Sequence, residues 1–258
     1  ERLDRSEDAL KAYEKALEIK PHHPYAWYDK GILLNKLERH QDAFEAFEKT
    51  LEINPRHAGA RYNKGIALEH LERYEEALKA FEKTLMINPA DAGAWFKKGI
   101  VLVEFGRFQE ALKGFEKAIE FHSRHTGAWY NKGVALYKLT RFQVSLKSLD
   151  KAIELNPGHI DAWHKKGVVL EELGRFEEAL EAFEKIVEIN PGYVEAWYNR
   201  SMVLRKLNKC EEALEAIEKT IELSPRHAAA WYNKGALLHA KKKYEEALES
   251  YKKALEFN

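Results

Sequence analysis

A period of 34 residues runs through the whole chain. Shifting the 258-residue sequence against itself by that interval brings Trp27, Arg61, Trp95, Trp129, Trp163, Trp197 and Trp231 into one column. Leu34, Leu68, Leu102, Leu136, Leu170, Leu204 and Leu238 align without exception, and Gly31, Gly65, Gly99, Gly133, Gly167 and Gly235 align with Ser201 as the outlier. Self-similarity at this length marks a solenoid, in which each unit buries its apolar face against its neighbours. Within a unit, Trp129, Gly133 and Leu136 share one side of a helix, and Leu146, Leu149 and Ile153 form a second stripe, so each unit reads as two amphipathic helices. Prolines close the units at Pro21, Pro55, Pro89, Pro157, Pro191 and Pro225, with Ser123 in the remaining place. The residue before proline is pushed out of helical geometry, so these positions stop the second helix. Glycine inside a helix costs about 1 kcal/mol, which is acceptable where two helices must come close.

An alanine column follows (Ala9, Ala43, Ala77, Ala111, Ala179, Ala213, Ala247), then an aromatic one: Tyr13, Phe47, Phe81, Phe115, Phe183 and Tyr251, with Leu149 and Ile217 in the same register. This order of Trp, Leu, Gly, Ala, aromatic, Ala and Pro resembles the tetratricopeptide repeat, and the resemblance covers the whole chain. It implies an all-α fold, a right-handed α-solenoid or superhelix of about fifteen antiparallel-paired helices. Residues 1–258 are expected to form a single solenoid: a trailing half-repeat, 1–23, then repeats 24–57, 58–91, 92–125, 126–159, 160–193, 194–227 and 228–258. Glu1 already falls inside the pattern, so the chain reads as an excerpt of something longer. The WYNKG spelling, widespread in archaeal and bacterial arrays of this family, implies a prokaryotic source by resemblance.

Each first helix has a side that packing does not explain, and function is sought there. An aromatic row consists of Tyr28, Tyr62, Phe96, Tyr130, His164, Tyr198 and Tyr232. Beside it runs a polar row of Asp29, Asn63, Lys97, Asn131, Lys165, Asn199 and Asn233, and one turn later an aliphatic row from Ile32 to Ala236. The resemblance places these rows along a concave groove. Asn is a weak mid-helix residue, and a primary amide donates and accepts at once, which suits it to gripping a peptide bond. The column is similar to the asparagine ladders of the O-GlcNAc transferase repeat arm and of armadillo-type import receptors. The expected peptide-binding set is Tyr28, Tyr62, Asn63, Lys97, Tyr130, Asn131, Lys165, Tyr198, Asn199, Tyr232 and Asn233, with the two lysines favouring acidic residues. The competing reading is that duplicated repeats share Tyr and Asn by descent on a solvated wall. The two-carboxylate clamp of some members needs Lys and Asn where this chain has aromatic and aliphatic residues.

Before each glycine stands a cation, Lys30, Lys64, Lys98, Lys132, Lys166, Arg200 or Lys234, where the family usually has Leu. The second helices offer Glu14, Glu48, Glu82, Glu116, Asp150, Glu184 and Glu218, but Lys252 in the last. Pairs such as Glu48 with Lys64 and Glu116 with Lys132 are therefore expected, against the alternative of an ordinary charged flank.

The remaining features argue against chemistry. Forty-two basic and forty-two acidic side chains cancel, so no whole-chain field draws nucleic acid or an anionic membrane. The histidines His22, His23, His57, His125, His159 and His227 cluster in inter-repeat loops, where they are expected to be solvated, with no metal site and no cofactor. Cys210 shares a column with His40, Tyr74 and Phe108, which favours packing over nucleophilic work, and a single cysteine fits a reducing, cytoplasmic setting. Neither a phosphate loop nor a nucleophile elbow occurs, and no apolar run or leader pattern points to a membrane. The expectation is a non-enzymatic scaffold for another protein or peptide segment. The alternative is the substrate-recognition arm of a larger enzyme, and end-to-end self-association stays open.

Overall fold

Each stretch with apolar residues at helical spacing is a helix in the computed structural model, which describes residues 2–258, with side chains from Ser6 onward. In order these are α1 (Arg2–Ile19), α2 (Pro24–Lys36), α3 (His40–Ile53), α4 (Ala58–His70), α5 (Tyr74–Ile87), α6 (Ala92–Glu104), α7 (Phe108–Phe121) and α8 (Thr126–Lys138). Then come α9 (Phe142–Leu155), α10 (Ile160–Glu172), α11 (Phe176–Ile189), α12 (Val194–Lys206), α13 (Cys210–Leu223), α14 (Ala228–Ala240) and α15 (Tyr244–Glu256). The fold is all-α, an array of helical hairpins, and among the described residues there is no strand.

The chain forms two compact units, one ending at Ala135 and the other Leu136–Asn258. In the first, α2 packs on α3, α4 on α3 and α5, and α6 on α5 and α7; in the second, α10, α12 and α14 alternate in the same way with α9, α11, α13 and α15. The core of each unit is the aromatic or aliphatic column meeting the leucine column: Phe47, Phe81, Phe115 and Phe183 are fully buried, as are Leu34, Leu68, Leu170 and Leu204. Truncating a buried phenylalanine of this kind to alanine costs about 3–5 kcal/mol. The glycine column exists for these rings. A Cβ on Gly31 would lie 2.6 Å from the Phe47 ring, and on Gly65 2.7 Å from Phe81. Where the ring is replaced by Ile217, the glycine gives way to Ser201, whose hydroxyl donates to the Tyr198 carbonyl.

The asparagine before proline ends its helix by its side chain as well as by its position. Asn54 Oδ1 accepts from the Arg56 amide at 3.2 Å and Asn156 Oδ1 from Gly158 at 3.1 Å, turns that stop the helix and redirect the chain. The loop between first and second helix uses a left-handed residue in every repeat: Glu38, Glu72, Gly106, Thr140, Gly174, Asn208 and Lys242 have φ between 57° and 70°. The second helix then opens on a basic residue paired with an acid three positions on, as in Arg73–Glu76 and Arg107–Glu110, both 2.7 Å.

His22 is exposed as expected, whereas the other five loop histidines have a structural task that the expectation of solvated side chains did not include. Nδ1 of His23, His57, His125, His159 and His227 accepts the backbone N–H three residues on, at 3.0 to 3.3 Å. They cap the first helices, satisfying one of the donors every helix start leaves open. Asp91 does the same work in its repeat, accepting from Ala94 at 2.9 Å. Cys210 is partly buried and packs against the Ile217 and Leu204 cluster.

Candidate functional site

The five letters WYNKG each acquire a partner. The indole N–H of Trp27, Trp95, Trp163, Trp197 and Trp231 donates to the carbonyl of the proline six residues earlier, at 2.8 to 2.9 Å. Trp129 donates to Ser123, and Arg61, the non-Trp member, sends its guanidinium to the Pro55 carbonyl. The lysine before the glycine lies over its own tryptophan, for example Lys166 over Trp163 at 5.2 Å, and reaches the acid of the preceding second helix. All seven of these pairs form: Lys30–Glu14, Lys64–Glu48, Lys98–Glu82, Lys132–Glu116, Lys166–Asp150, Arg200–Glu184 and Lys234–Glu218, at 2.7 to 3.3 Å. The cations are mostly covered and the acids about half exposed, so the pairs position the helices more than they stabilise them.

The aromatic row is partly spent on stacking. Tyr28 lies on His57 with ring centroids 4.7 Å apart, Phe96 on His125 at 4.5 Å and Tyr198 on His227 at 4.9 Å. Each ring therefore covers the capping residue of the next repeat, and small residues such as Gly59 and Gly93 leave room for the hydroxyls of Tyr28 and Tyr62. Burial raises the phenol pKa of Tyr62, assisted by the nearby carboxylates of Asp91 and Glu69. Tyr130 is partly buried, and Tyr232, whose ring centroid lies 5.6 Å from that of Tyr251 in α15, is 59% exposed.

The polar row is bridged in two directions. Along the row, Asn63 Nδ2 donates to the Tyr28 hydroxyl at 3.3 Å and to the Gly59 carbonyl at 2.9 Å, and Asn131 Nδ2 to the Gly127 carbonyl at 2.9 Å. Asn199 Nδ2 meets His164 Nε2 at 2.9 Å. Across the row, Lys97 pairs with Glu69 at 3.0 Å and Asn233 accepts from Arg205 at 3.0 Å. Asn233 also donates to the Tyr198 hydroxyl and the Ala229 carbonyl and is 7% exposed, so its amide has nothing left to offer a ligand. Asn63, Asn131 and Asn199 are half-buried, with their amide oxygens accepting no bond among the described residues.

Lys165 stands apart from Lys97. Its ammonium lies 5.0 Å from the Tyr137 ring centre, with no carboxylate partner among the described residues. Burial, and then the like charge of Lys138, hold its pKa below the usual lysine value. Neighbouring His164 is also depressed, by burial first and Lys165 second. Sequence reasoning missed the cross-row partners Glu69, Tyr137 and Arg205; their signal was a second column, 28 residues before the polar one, with complementary chemistry.

Comparison with known proteins agrees with this architecture. The tetratricopeptide repeat profile matches residues 76–125, 96–160, 130–194 and 198–258, and that of anaphase-promoting complex, cyclosome, subunit 3 matches residues 4–84. A search of curated proteins finds no match. Among solved structures, YrrB, described as a TPR protein with an unusual peptide-binding site, is 32% identical over 77% of this chain and 99% of its own, with TM-score 0.65. The C-terminal part of a TPR repeat-containing protein from Cytophaga hutchinsonii is 17% identical, covering 89% of this chain and 94% of its own, with TM-score 0.73. The Cut9–Hcn1 hetero-tetramer of the APC/C is 18% identical over 98% of this chain and 50% of that one, with TM-score 0.63. The last two show likeness of fold alone.

Proposed function

The chain belongs to the tetratricopeptide repeat family, and on that premise we propose that it is a non-enzymatic scaffold that holds an extended acidic peptide against its first helices. Repeats of this family generally serve protein–protein interaction, and the peptide-binding site of YrrB supports a peptide as ligand here. The reading centres on α10 and α12, where Lys165, Tyr198 and Asn199 of the polar and aromatic rows adjoin Val168 and Met202 of the aliphatic row. Lys165 carries it. A half-buried cation set on an aromatic ring and left without a counter-ion attracts a carboxylate more strongly than one already neutralised. Lys97 is neutralised by Glu69, so the acidic preference belongs to the second unit. Asn63 has both amide N–H groups engaged and Asn131 one, and the Asn199 amide nitrogen meets His164, so the ladder would act chiefly through its oxygens, accepting peptide N–H groups. Tyr28, Tyr62, Tyr130 and Tyr232 then supply flanking apolar contact.

The test uses a fluorescent decapeptide with a central Asp-Glu pair and its Asn-Gln counterpart. Lys165→Ala is expected to weaken the acidic peptide about fivefold and to erase its advantage over the amide version, the size of one desolvated ion pair. Lys97→Ala is expected to leave that advantage intact. Equal affinity of wild type and Lys165→Ala for the acidic peptide would overturn the proposal.

A further inference from the structure

Two departures from the repeat meet on one hairpin, α4 with α5. Arg61 occupies the column that is tryptophan in the other six repeats, and Met86 a column that is glutamate in every other second helix, from Glu18 to Glu256. Both change the local charge. Lys49, Lys117, Lys151, Lys185 and Lys219 each pair with the glutamate three residues on, at 2.6 to 2.8 Å. Their counterpart Lys83 meets Met86 instead, which is 82% exposed, and so lacks that partner.

The consequence is a cationic cleft of about 220 Å³ between α4 and α5, whose charged lining is Arg61, Lys64, Lys79 and Lys83 against Glu76 alone. The corresponding clefts in the same unit are balanced or nearly so. Between α6 and α7, Lys98, Lys113 and Lys117 face Glu110, Glu116 and Glu120, and between α2 and α3, Lys30, Arg39 and Lys49 face Asp42 and Glu45. Within the cationic cleft the one acid is already spent. Glu76 is held by Arg73 at 2.7 Å, and that bond first, with Lys64 and Lys79 adding, keeps its carboxyl below the usual range. Lys64 is answered by Glu48 at 2.7 Å. Arg61 gives one N–H to the Pro55 carbonyl, while its buried Nε–H meets no acceptor. Arg61, Lys79 and Lys83 therefore have no ion pair among the described residues, and Lys79 and Lys83 stand one turn apart on the same side of α5.

We infer that this cleft binds a phosphate monoester. A carboxylate brings one charge and two oxygens, whereas a phosphate monoester brings close to two charges and three acceptor oxygens near neutral pH, enough to meet Arg61, Lys79 and Lys83 together. The planar guanidinium at the tryptophan position suits a phosphate better than a lysine there would. None of these residues belongs to the aromatic, polar or aliphatic rows, so the site is independent of the acidic-peptide reading centred on Lys165.

The probes are a fluorescent pentapeptide with a central phosphoserine, its serine counterpart, and inorganic phosphate followed by phosphorus NMR, each titrated into the 258-residue chain. The phosphopeptide is expected to bind at least about tenfold more tightly than the serine peptide, and to weaken as salt rises. Met86→Glu, which restores the acid of the repeat at an exposed position, and Lys79→Ala are each expected to weaken it about fivefold. Arg61→Trp, which restores the residue of the other six repeats, is expected to weaken it further, and Lys113→Ala in the balanced cleft to change nothing. Inorganic phosphate showing the same dependence on these variants assigns the site to the free anion, and binding of the phosphopeptide alone assigns it to a phosphorylated segment; either supports the inference. No saturable binding of either phosphate probe, equal affinity for phosphoserine and serine peptides with no response to inorganic phosphate, or binding that Met86→Glu and Arg61→Trp both leave unchanged would overturn it.

Discussion

Gly65 sits where α4 meets the ring of Phe81, and a methyl group there would fall 2.7 Å from the ring. Gly65→Ala is therefore expected to destabilise the chain by about 1–3 kcal/mol, the usual cost of overpacking a filled core. Gly65→Ala combined with Phe81→Leu is expected to be less destabilised than the two single changes summed, as a double-mutant cycle in urea would read. The chain already carries a version of this exchange, with Ser201 opposite an aliphatic Ile217. At this scale much was legible: the glycine column announced a close approach, and the alternation of acid and cation announced the seven pairs. The partners of Trp and Asn were not, because a loop carbonyl six residues back or a hydroxyl 35 residues back leaves no mark in a column of identical letters.

At the scale of the element, the first helices begin on an imidazole. A histidine lacks the Ser, Thr, Asp or Asn signature of a cap, which is why the column read as solvated; Asp91 in the same register was the available clue. His125 accepts from the Ala128 amide through Nδ1 at 3.1 Å and must be unprotonated there to do so. Burial, and then the neighbouring His122, depress its pKa below the ordinary value of about 6.5. The unfolded chain binds the proton more readily, so this contribution is complete above about pH 6.5 and is lost as the pH falls toward the folded value. The expected outcome is a Tm that drops between pH 7.5 and 5.5. His125→Asp, which installs the cap Asp91 uses, should make the drop shallower, whereas His125→Ala should lower Tm already at pH 7.5, by about 1 kcal/mol of lost capping. A slope identical in wild type and His125→Asp would remove the imidazole from the account.

For the whole molecule, a repeat read from sequence specifies how neighbours pack, and in each of the two units the hairpins alternate as the period predicts. The candidate wall was legible as rows of residue types that packing did not require. Its working parts were not, because the same side chains serve the contact between repeats: Asn233 is consumed by Arg205 and Tyr198, Lys97 by Glu69, and only Lys165 keeps an unanswered charge among the lysines of that row. The central claim is that the partner lies against the first helices. A benzophenone side chain placed at Met202 on the wall, or at the exposed Glu181 on a second helix, tests it with the Asp-Glu decapeptide as partner. Crosslinking from position 202, absent from 181 and abolished by Lys165→Ala, is the result the account predicts; crosslinking from 181 with none from 202 would contradict it.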